Sequence, residues 1–317
     1  MQIAVQKPIK KSGRLHTLKV KKMIWAYIFL VPQLLLFLFF TIYPIIMSYV
    51  YVFFDWYGLG PLEDFIGLDN FRTIIADERF WDAVKISFMY IGGVLVIVMP
   101  GSFLLAMLLN AKFMKGKAIY RTVFFIPVIS TTAIIGVVMR LIFGYEGSLV
   151  NSILIKLGIL NQAVNWFVNP STALVILILI GAWIQFGLKM VYWLALLQSL
   201  PQDVFEAAKI DGSNAINTFR YITWPLLLPG AAVILLLSII GGFNVFDLVV
   251  TLTGGGPFFA TTTADLFIYN TVFKSGGLPR IGLGSAAGII FGMMVFAVTL
   301  LVTFVGKMLS NRYSVKV

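Results

Sequence analysis

The residues of this sequence that can do polar chemistry are few and unevenly placed. Charged side chains make up 12% of the 317 residues, and Glu206, Lys209 and Asp211 all fall within "EAAKIDG" at 206–212. A second set is scattered through apolar runs: Arg140, Gln185, Lys189, Asn244 and Asp247. Neither set has the make-up of a covalent catalyst. There is no cysteine, hence no disulfide and no thiolate metal site. The one histidine, His16, lies among basic residues near the N-terminus, and no role is assigned to it. No GxxxxGK[ST] stretch is present to hold a nucleotide phosphate, and no HExxH, GxSxG or carboxylate pair with a neighbouring base. "LTGGGP" at 252–257 is glycine-rich but lacks the lysine. These residues are suited to binding without reacting: ion-pairing with another protein, or hydrogen-bonding a polar solute. A polar group within an apolar run ordinarily faces protein or water. Bonding between helices is its plain reading, and contact with a passing solute the sharper one.

The elements that must position these groups are apolar. The chain is 60% hydrophobic, with a mean hydropathy of +0.95. A soluble domain cannot hide that much apolar surface, so the bilayer is the expected solvent. At about 20 apolar residues per span, six segments qualify: about 24–52, 86–109, 122–143, 172–197, 226–249 and 282–306. None alternates as barrel strands do, and helices satisfy their own backbone in lipid. The predicted fold is an all-α membrane protein with six transmembrane helices. The first apolar run is too long for a cleavable signal peptide, and no small-residue cleavage site follows it.

Charge sets the expected orientation. The N-terminal tail holds Lys7, Lys10, Lys11, Arg14, Lys19, Lys21 and Lys22, the second loop Lys112, Lys115, Lys117 and Arg121, and the C-terminal tail Lys307, Arg312 and Lys316. With six spans these segments share one side, the cytoplasmic one by the positive-inside rule. The opposite loop carries Asp55, Glu63, Asp64, Asp69, Asp77, Glu78 and Asp82. The net charge of +11 is thus topological. Its dispersal over three segments argues against nucleic-acid binding.

The connecting segments carry further expectations. Span 1 contains Pro32 and Pro44 and ends in the aromatic belt "YVYVFFDWYG". "GLDNFRTIIADERFWDAVKIS" reads as a short amphipathic helix leading into span 2, with Phe71, Ile74, Ile75 and Phe80 on the membrane surface. "LVNSILIKLGIL" is too short to span and reads as an outer helix packed on the bundle. A helical piece is expected at about 263–273, inside a Gly-, Thr- and Pro-rich outer loop. Gly284, Gly288 and Gly292 stand four apart on span 6, for close packing within the chain or against a second membrane subunit. No internal repeat is evident, although many self-contained secondary transporters carry one.

The segment after span 4, "SLPQDVFEAAKIDGSNAINTFRYITWPLLLP", is the most informative. Pro201 ends span 4. Asp203 suits the first turn of a new helix, and Ala207, Ala208 and Lys209 are good helix formers. Gly212 permits a turn. Asn214 can cap a second short helix running into span 5 through Pro225 and Pro229. The result is a helix–glycine–helix element on the cytoplasmic face, or on the plainer reading an amphipathic linker.

These residues resemble the membrane subunits of bacterial ABC importers. "EAAKIDG", with "PLLLP" beginning 13 residues after its glycine, is similar to that family's EAA loop. "TLTGGGP", "TTTADLFIYNTVF", "GKAIYRTVFFIP" and "GLDNF" resemble its carbohydrate-uptake, maltose-permease-like branch. The resemblance implies the type I permease fold with both termini cytoplasmic. It divides the chain into a basic tail at 1–22, a permease domain at 23–310 with its coupling loop at 200–225, and a short tail at 311–317. It implies a multi-pass subunit of the bacterial cytoplasmic (inner) membrane, importing a carbohydrate. The implied partners are a second permease subunit in a heterodimer, an ATPase dimer, and an extracytoplasmic substrate-binding protein. ATP and magnesium belong to the ATPase, and the chain itself needs no cofactor. The loop would dock in a groove of the ATPase and move as one body when the ATPase dimer closes. Glu206 would pair with a basic residue, Ala207 and Ala208 allow close packing, Gly212 form the turn and Asp211 brace it.

Alignment on "EAA" and "GGP" places the branch's sugar-contacting positions at Val128, Gly181, Ile184, Gln185, Leu188, Ser238, Gly242 and Val245. Helical spacing puts the span 4 members on one face and the span 5 members on another. Asn244 shares a face with Asp247 beside them. Trp183 and Phe243 can stack on sugar rings, although the packing reading is favoured for both. Loss of size at several positions predicts a wider path, hence an oligosaccharide longer than a disaccharide. The alternative class is an ion-gradient-driven secondary carrier or channel for a small polar solute, for which Asp247 is the candidate coupling group.

Overall fold

The computed structural model describes residues 12–313 except Lys112, Glu146 and Ser275, and for 12–22 and 309–313 it describes the backbone alone. Expectations that rest on Lys7, Lys10, Lys11, Lys112 and Lys316, and on the tail side chains, lie outside the described residues. The chain forms α1 (Ser12–Phe37), α2 (Tyr43–Tyr51), α3 (Asp69–Ala76), α4 (Glu78–Asn110), α5 (Lys117–Ile129), α6 (Thr132–Ile142), α7 (Leu149–Lys156), α8 (Pro170–Gln198), α9 (Gln202–Ile210), α10 (Ala215–Thr218), α11 (Trp224–Gly242), α12 (Phe246–Leu252), α13 (Ala264–Phe273) and α14 (Ile281–Tyr313). Among the described residues, five helical runs are long and apolar enough to cross a membrane: Met23–Tyr51, Glu78–Asn110, Pro170–Gln198, Ala215–Gly242 and Ile281–Met308. A pair bent by 99°, α5 with α6, passes the same test only when its two helices are taken together as one span, which brings the number to six. The all-helical expectation is met.

Three spans depart from the straight rods expected of them. Span 1 contains a π-helical turn at Leu38–Ile42, closed by Tyr43 N–H donating to Leu38 O just before Pro44 in the first turn of α2. The same device recurs at Phe219–Thr223, where Trp224 N–H donates to Phe219 O just before Pro225. A wider turn gives the proline ring room against the preceding carbonyls. Span 3 bends by 99° between α5 and α6. Pro127 sits in the last turn of α5, and Ser130 and Thr131 then adopt extended backbone. Span 5 stops at Gly242, and α12 restarts at Phe246. Two consecutive glycines, Gly241 and Gly242, weaken the helix there.

Close backbone approach sets the packing, as it must where lipid gives helices no hydrophobic reason to associate. A side chain at Gly187 on α8 would overlap the carbonyl of Phe124 on α5. One at Gly136 on α6 would overlap Thr251 Oγ1 on α12, so the second halves of the two broken spans lie against each other. Tyr90, Val94 and Val98 of α4 join Leu177 and Ile180 of α8 and Leu248, Val249 and Leu252 of α12 in one core. Toward the other end of α4, Phe103 and Leu109 pack with Met190, Trp193 and Leu227.

The amphipathic segment before span 2 needs correcting. It is two helices, with Asp77 between them accepting from Arg79 N at 2.9 Å as an N-cap. Ile74 and Phe80, expected on the membrane surface, are buried in a core with Ala264, Leu283 and Ala287. Phe71 is half-buried, and Ile75 alone of the four is well exposed. Asn70 of "GLDNF" holds this cap together: its Nδ2 donates to Val52 O at 2.9 Å and Phe54 O at 3.0 Å. Of the three glycines on α14, Gly284 packs against Val272 of α13. Gly288 and Gly292 have open space and line a groove with Ile45, Ser48 and Tyr49 of α2.

Candidate functional site

The segment 201–223 builds the helix–glycine–helix element. Pro201 stands at the N-cap of α9, Asp203 lies in its first turn and Lys209 in its last, so both charges suit the helix dipole. The helix ends in a Schellman motif: Ser213 N–H donates to Ala208 O at 2.9 Å and Gly212 N–H to Lys209 O at 3.2 Å. Gly212 takes φ +74°, the left-handed conformation this motif needs. Asn214 Oδ1 accepts from Asn217 N at 2.8 Å and caps α10, and Thr218 Oγ1 donates to Ser213 Oγ at 3.0 Å across the turn.

Of the five coupling residues expected from the sequence, Ala208 is buried and Glu206, Ala207, Asp211 and Gly212 are exposed. Two residues that went unremarked, Ile210 and Ile216 on either side of the glycine turn, are 86% and 76% exposed. Branched apolar residues in an otherwise polar stretch were the available signal. The element is seated on the bundle by Phe205 and Phe219, which pack against the core around Phe103, Met190 and Trp193. A cavity of about 530 Å³ lies beneath it, lined among others by Asn110 at the end of α4, Leu197 of α8, and Phe205 and Lys209 of α9.

The residues expected along a solute path divide into two groups. Gly181, Ser238, Gly242 and Val245 are buried in the packing of the subunit. The Tyr90 ring fills the space beside Gly181, and Ile91 Cγ1 stands 3.1 Å from where a Cβ at Gly242 would lie. Neither glycine widens a path within this chain. Ser238 Oγ donates to Ile234 O at 2.6 Å within its own helix. The other group is open to its surroundings: Val128, Ile184, Gln185 and Leu188 are half-buried, and Asn244 is exposed at the break of span 5. Gln185 Oε1 comes within 3.9 Å of the Cβ position of Gly241, so α8 presents its amide to that break. Asp247 is exposed in the first turn of α12. Phe243 is committed to packing, its ring meeting those of Phe88 and Phe291, whereas Trp183 is partly exposed. Arg140 is exposed, and Lys189 is buried with Nζ 5.6 Å from the Tyr192 ring centroid.

The end of the bundle away from the coupling element holds its own polar cluster. Ser87 Oγ on α4 accepts from Ala264 N at 2.9 Å. The Asp265 carboxylate accepts from Thr263 Oγ1 and from Leu266 N. Burial pushes the Asp265 carboxyl above the usual range, against the lowering effect of those bonds. Its Oδ2 is buried with no hydrogen-bond partner.

Known proteins are similar to this chain in sequence and in fold. The chain is 35% identical over 278 residues to the arabinooligosaccharides transport system permease protein AraP of Bacillus subtilis (strain 168), covering 87% of this chain and 86% of that one. It is 32% identical over 298 residues to the trehalose/maltose transport system permease protein MalF of Thermococcus litoralis, covering 92% and 96%. A bacterial alginate ABC transporter, crystallised in complex with alginate pentasaccharide-bound periplasmic protein, contains a chain of the same fold: TM-score 0.75 at 24% identity, covering 93% of this chain and 96% of that one. Residues 94–315, from the middle of α4 through α14 and including the whole coupling element, match one family throughout. The chain belongs to the family of binding-protein-dependent transport system inner membrane components.

Proposed function

We propose that this chain is a membrane permease subunit of an ATP-driven ABC importer, and that it carries a carbohydrate, specifically an oligosaccharide, into the cytoplasm. It does no chemistry, and ATP and magnesium are held by a separate ATPase. The observation that carries the reading is the coupling element. It is a helix closed by a left-handed glycine, seated on the bundle by Phe205 and Phe219, and it leaves Glu206, Ile210 and Ile216 exposed to a partner. An exposed carboxylate one helical turn from an exposed isoleucine suits a protein groove with a basic residue in it, where the pair is worth more than in open water.

Sidedness follows from charge. α4 has 33 residues, about 50 Å of helix at 1.5 Å per residue. Lys115, Lys117, Arg121, Lys209 and Arg220 lie at its Asn110 end, against Arg72, Arg79, Lys274 and Arg280 at its Glu78 end; the ten Lys and Arg of the two tails, which six spans put on the Asn110 side, make the excess. The positive-inside rule makes the coupling end cytoplasmic, so both tails are cytoplasmic and the permease domain spans 23–310. The AraP relative supports an oligosaccharide. Gln185 and Asn244, open at the break of span 5, are the residues best placed to hydrogen-bond a sugar. A second permease subunit completes the path, and an extracytoplasmic binding protein delivers the sugar.

Uptake by proteoliposomes holding the purified complex is the test. Glu206→Ala and Gly212→Pro are expected to abolish ATP-dependent uptake while the subunit still inserts. Uptake that persists without the ATPase and without nucleotide sinks the importer reading in favour of an ion-driven carrier. Competition between sugars of increasing length tests the substrate class, and a preference for a disaccharide refutes the oligosaccharide.

A further inference from the structure

The loop between α12 and α13 spends its hydrogen bonds on holding two phenylalanines away from the protein. Phe258 and Phe259 are 89% and 66% exposed and take φ +47° and +63°. Non-glycine residues avoid that region, and bulky ones persist there only when their surroundings over-determine it. The surroundings do so. Thr261 Oγ1 lies 2.7 Å from both Thr253 Oγ1 and Gly256 O, and Thr262 Oγ1 donates to Gly255 O at 3.0 Å. Thr261 and Thr263 are fully buried, and Ala264 N is tied to Ser87 on α4. The base of the loop is rigid and its tip is aromatic.

The location excludes the hydrocarbon of the bilayer. The Arg79 guanidinium lies 5.9 Å from the centre of the Phe259 ring. Glu78 and Asp82 are exposed on the same first turns of α4 as Arg79. Charges at that density do not enter lipid unpaired. The tip stands at the Glu78 end of α4, while Asn110 at its far end borders the cavity under the coupling element. The two rings therefore face the compartment opposite the ATPase.

We infer that Phe258 and Phe259 form the anchor on which the extracytoplasmic binding protein docks, fitting an apolar depression with a basic rim that pairs with Glu78 and Asp82. This rests on the importer reading above. Preformed aromatic anchors lose little conformational freedom on binding, and a few such residues dominate most interfaces. Glu78 and Asp82, exposed on the first turns of α4 to either side of Arg79 in the chain, favour a partner with a basic rim.

The test uses the complex with its ATPase, partner permease and binding protein in proteoliposomes. The concentration of binding protein that gives half-maximal stimulation of ATP hydrolysis is measured against each preparation's unstimulated rate. Phe258→Ala and Phe259→Ala are each expected to raise it about tenfold. Phe258→Trp is expected to hold it near the wild-type value, with tryptophan emission moving to the blue on addition of binding protein. Alanine variants that titrate like the wild type overturn the anchor while leaving the importer intact. If brominated lipid quenches the tryptophan introduced by Phe258→Trp before any binding protein is added, the tip belongs to the membrane and the anchor is overturned as well. Wild-type complex that no binding protein stimulates overturns the importer reading and this one with it.

Discussion

The ring of Tyr90 on α4 occupies the space that a side chain at Gly181 on α8 would need: a Cβ at 181 would stand 3.0 Å from Tyr90 Cε2 and overlap the hydroxyl. Both residues are buried where α4, α8 and α12 meet. Gly181→Ala should destabilise the subunit by about 1–3 kcal/mol, the usual range for overpacking a tight core. Thermal unfolding of the purified subunit, followed by size-exclusion fluorescence, checks this. A variant with unchanged stability but altered sugar preference would instead make 181 a solute contact.

Gly212 has no neighbour within reach of an added Cβ, so replacing it carries only a backbone cost. Gly212→Ala should cost about 1–2 kcal/mol for an L-residue held left-handed. The ratio of ATP hydrolysed to sugar carried should rise while the helices remain folded. Ile210→Ser and Ile216→Ser act differently, since they leave the turn intact and remove apolar contact. Each should weaken association with the ATPase by about tenfold, read by titrating ATPase onto the purified permease pair.

Asp265 makes stability depend on pH. Its carboxyl is raised in the folded state, chiefly by burial, so the folded chain binds that proton more readily than the unfolded chain. The resulting contribution is fully present below the unfolded carboxylate value and is lost as pH rises through the raised folded value. Wild-type melting temperature should therefore include a component that falls as pH rises above the ordinary carboxylate range. Asp265→Asn, whose Oδ1 still accepts from Thr263 and Leu266, should remove that component. Parallel melting curves for wild type and variant across this range would refute it.

Asn151, on α7, carries a loop by itself. Its Nδ2 lies within 3.2 Å of the carbonyls of Gly144, Tyr145 and Val164, and its Oδ1 accepts from Trp166 Nε1 at 3.0 Å. Asn151→Ala strands several buried groups at about 1–3 kcal/mol each. Limited proteolysis within 144–166 should accelerate well before the spans unfold.

Much of this was legible in one sequence. Six apolar runs, the outer helix α13, the glycine turn at 212 and the cap at Asn214 each follow from local composition. The breaks in spans 3 and 5 do not. Pro32 and Pro100 lie inside continuous helices, whereas Pro127 precedes a 99° bend. A proline breaks a membrane helix only where neighbouring structure takes up the freed groups, and that neighbour is far away in the chain. Ile74 and Phe80 show the same limit, because an apolar stripe reads alike whether lipid or protein covers it. The partition of the expected path residues depended on the register of α4 against α8, which places Tyr90 over Gly181 and which no local pattern encodes.

One helix, α4, has Arg79 beside the aromatic tip at one end and Asn110 beside the coupling cavity at the other. A rod about 50 Å long converts a tilt of about five degrees into a displacement of about 4 Å at its far end. That is roughly the rise of three helical residues, enough to shift a side chain from one pocket to the next. A rigid tilt of α4 would therefore be felt at both of these ends at once.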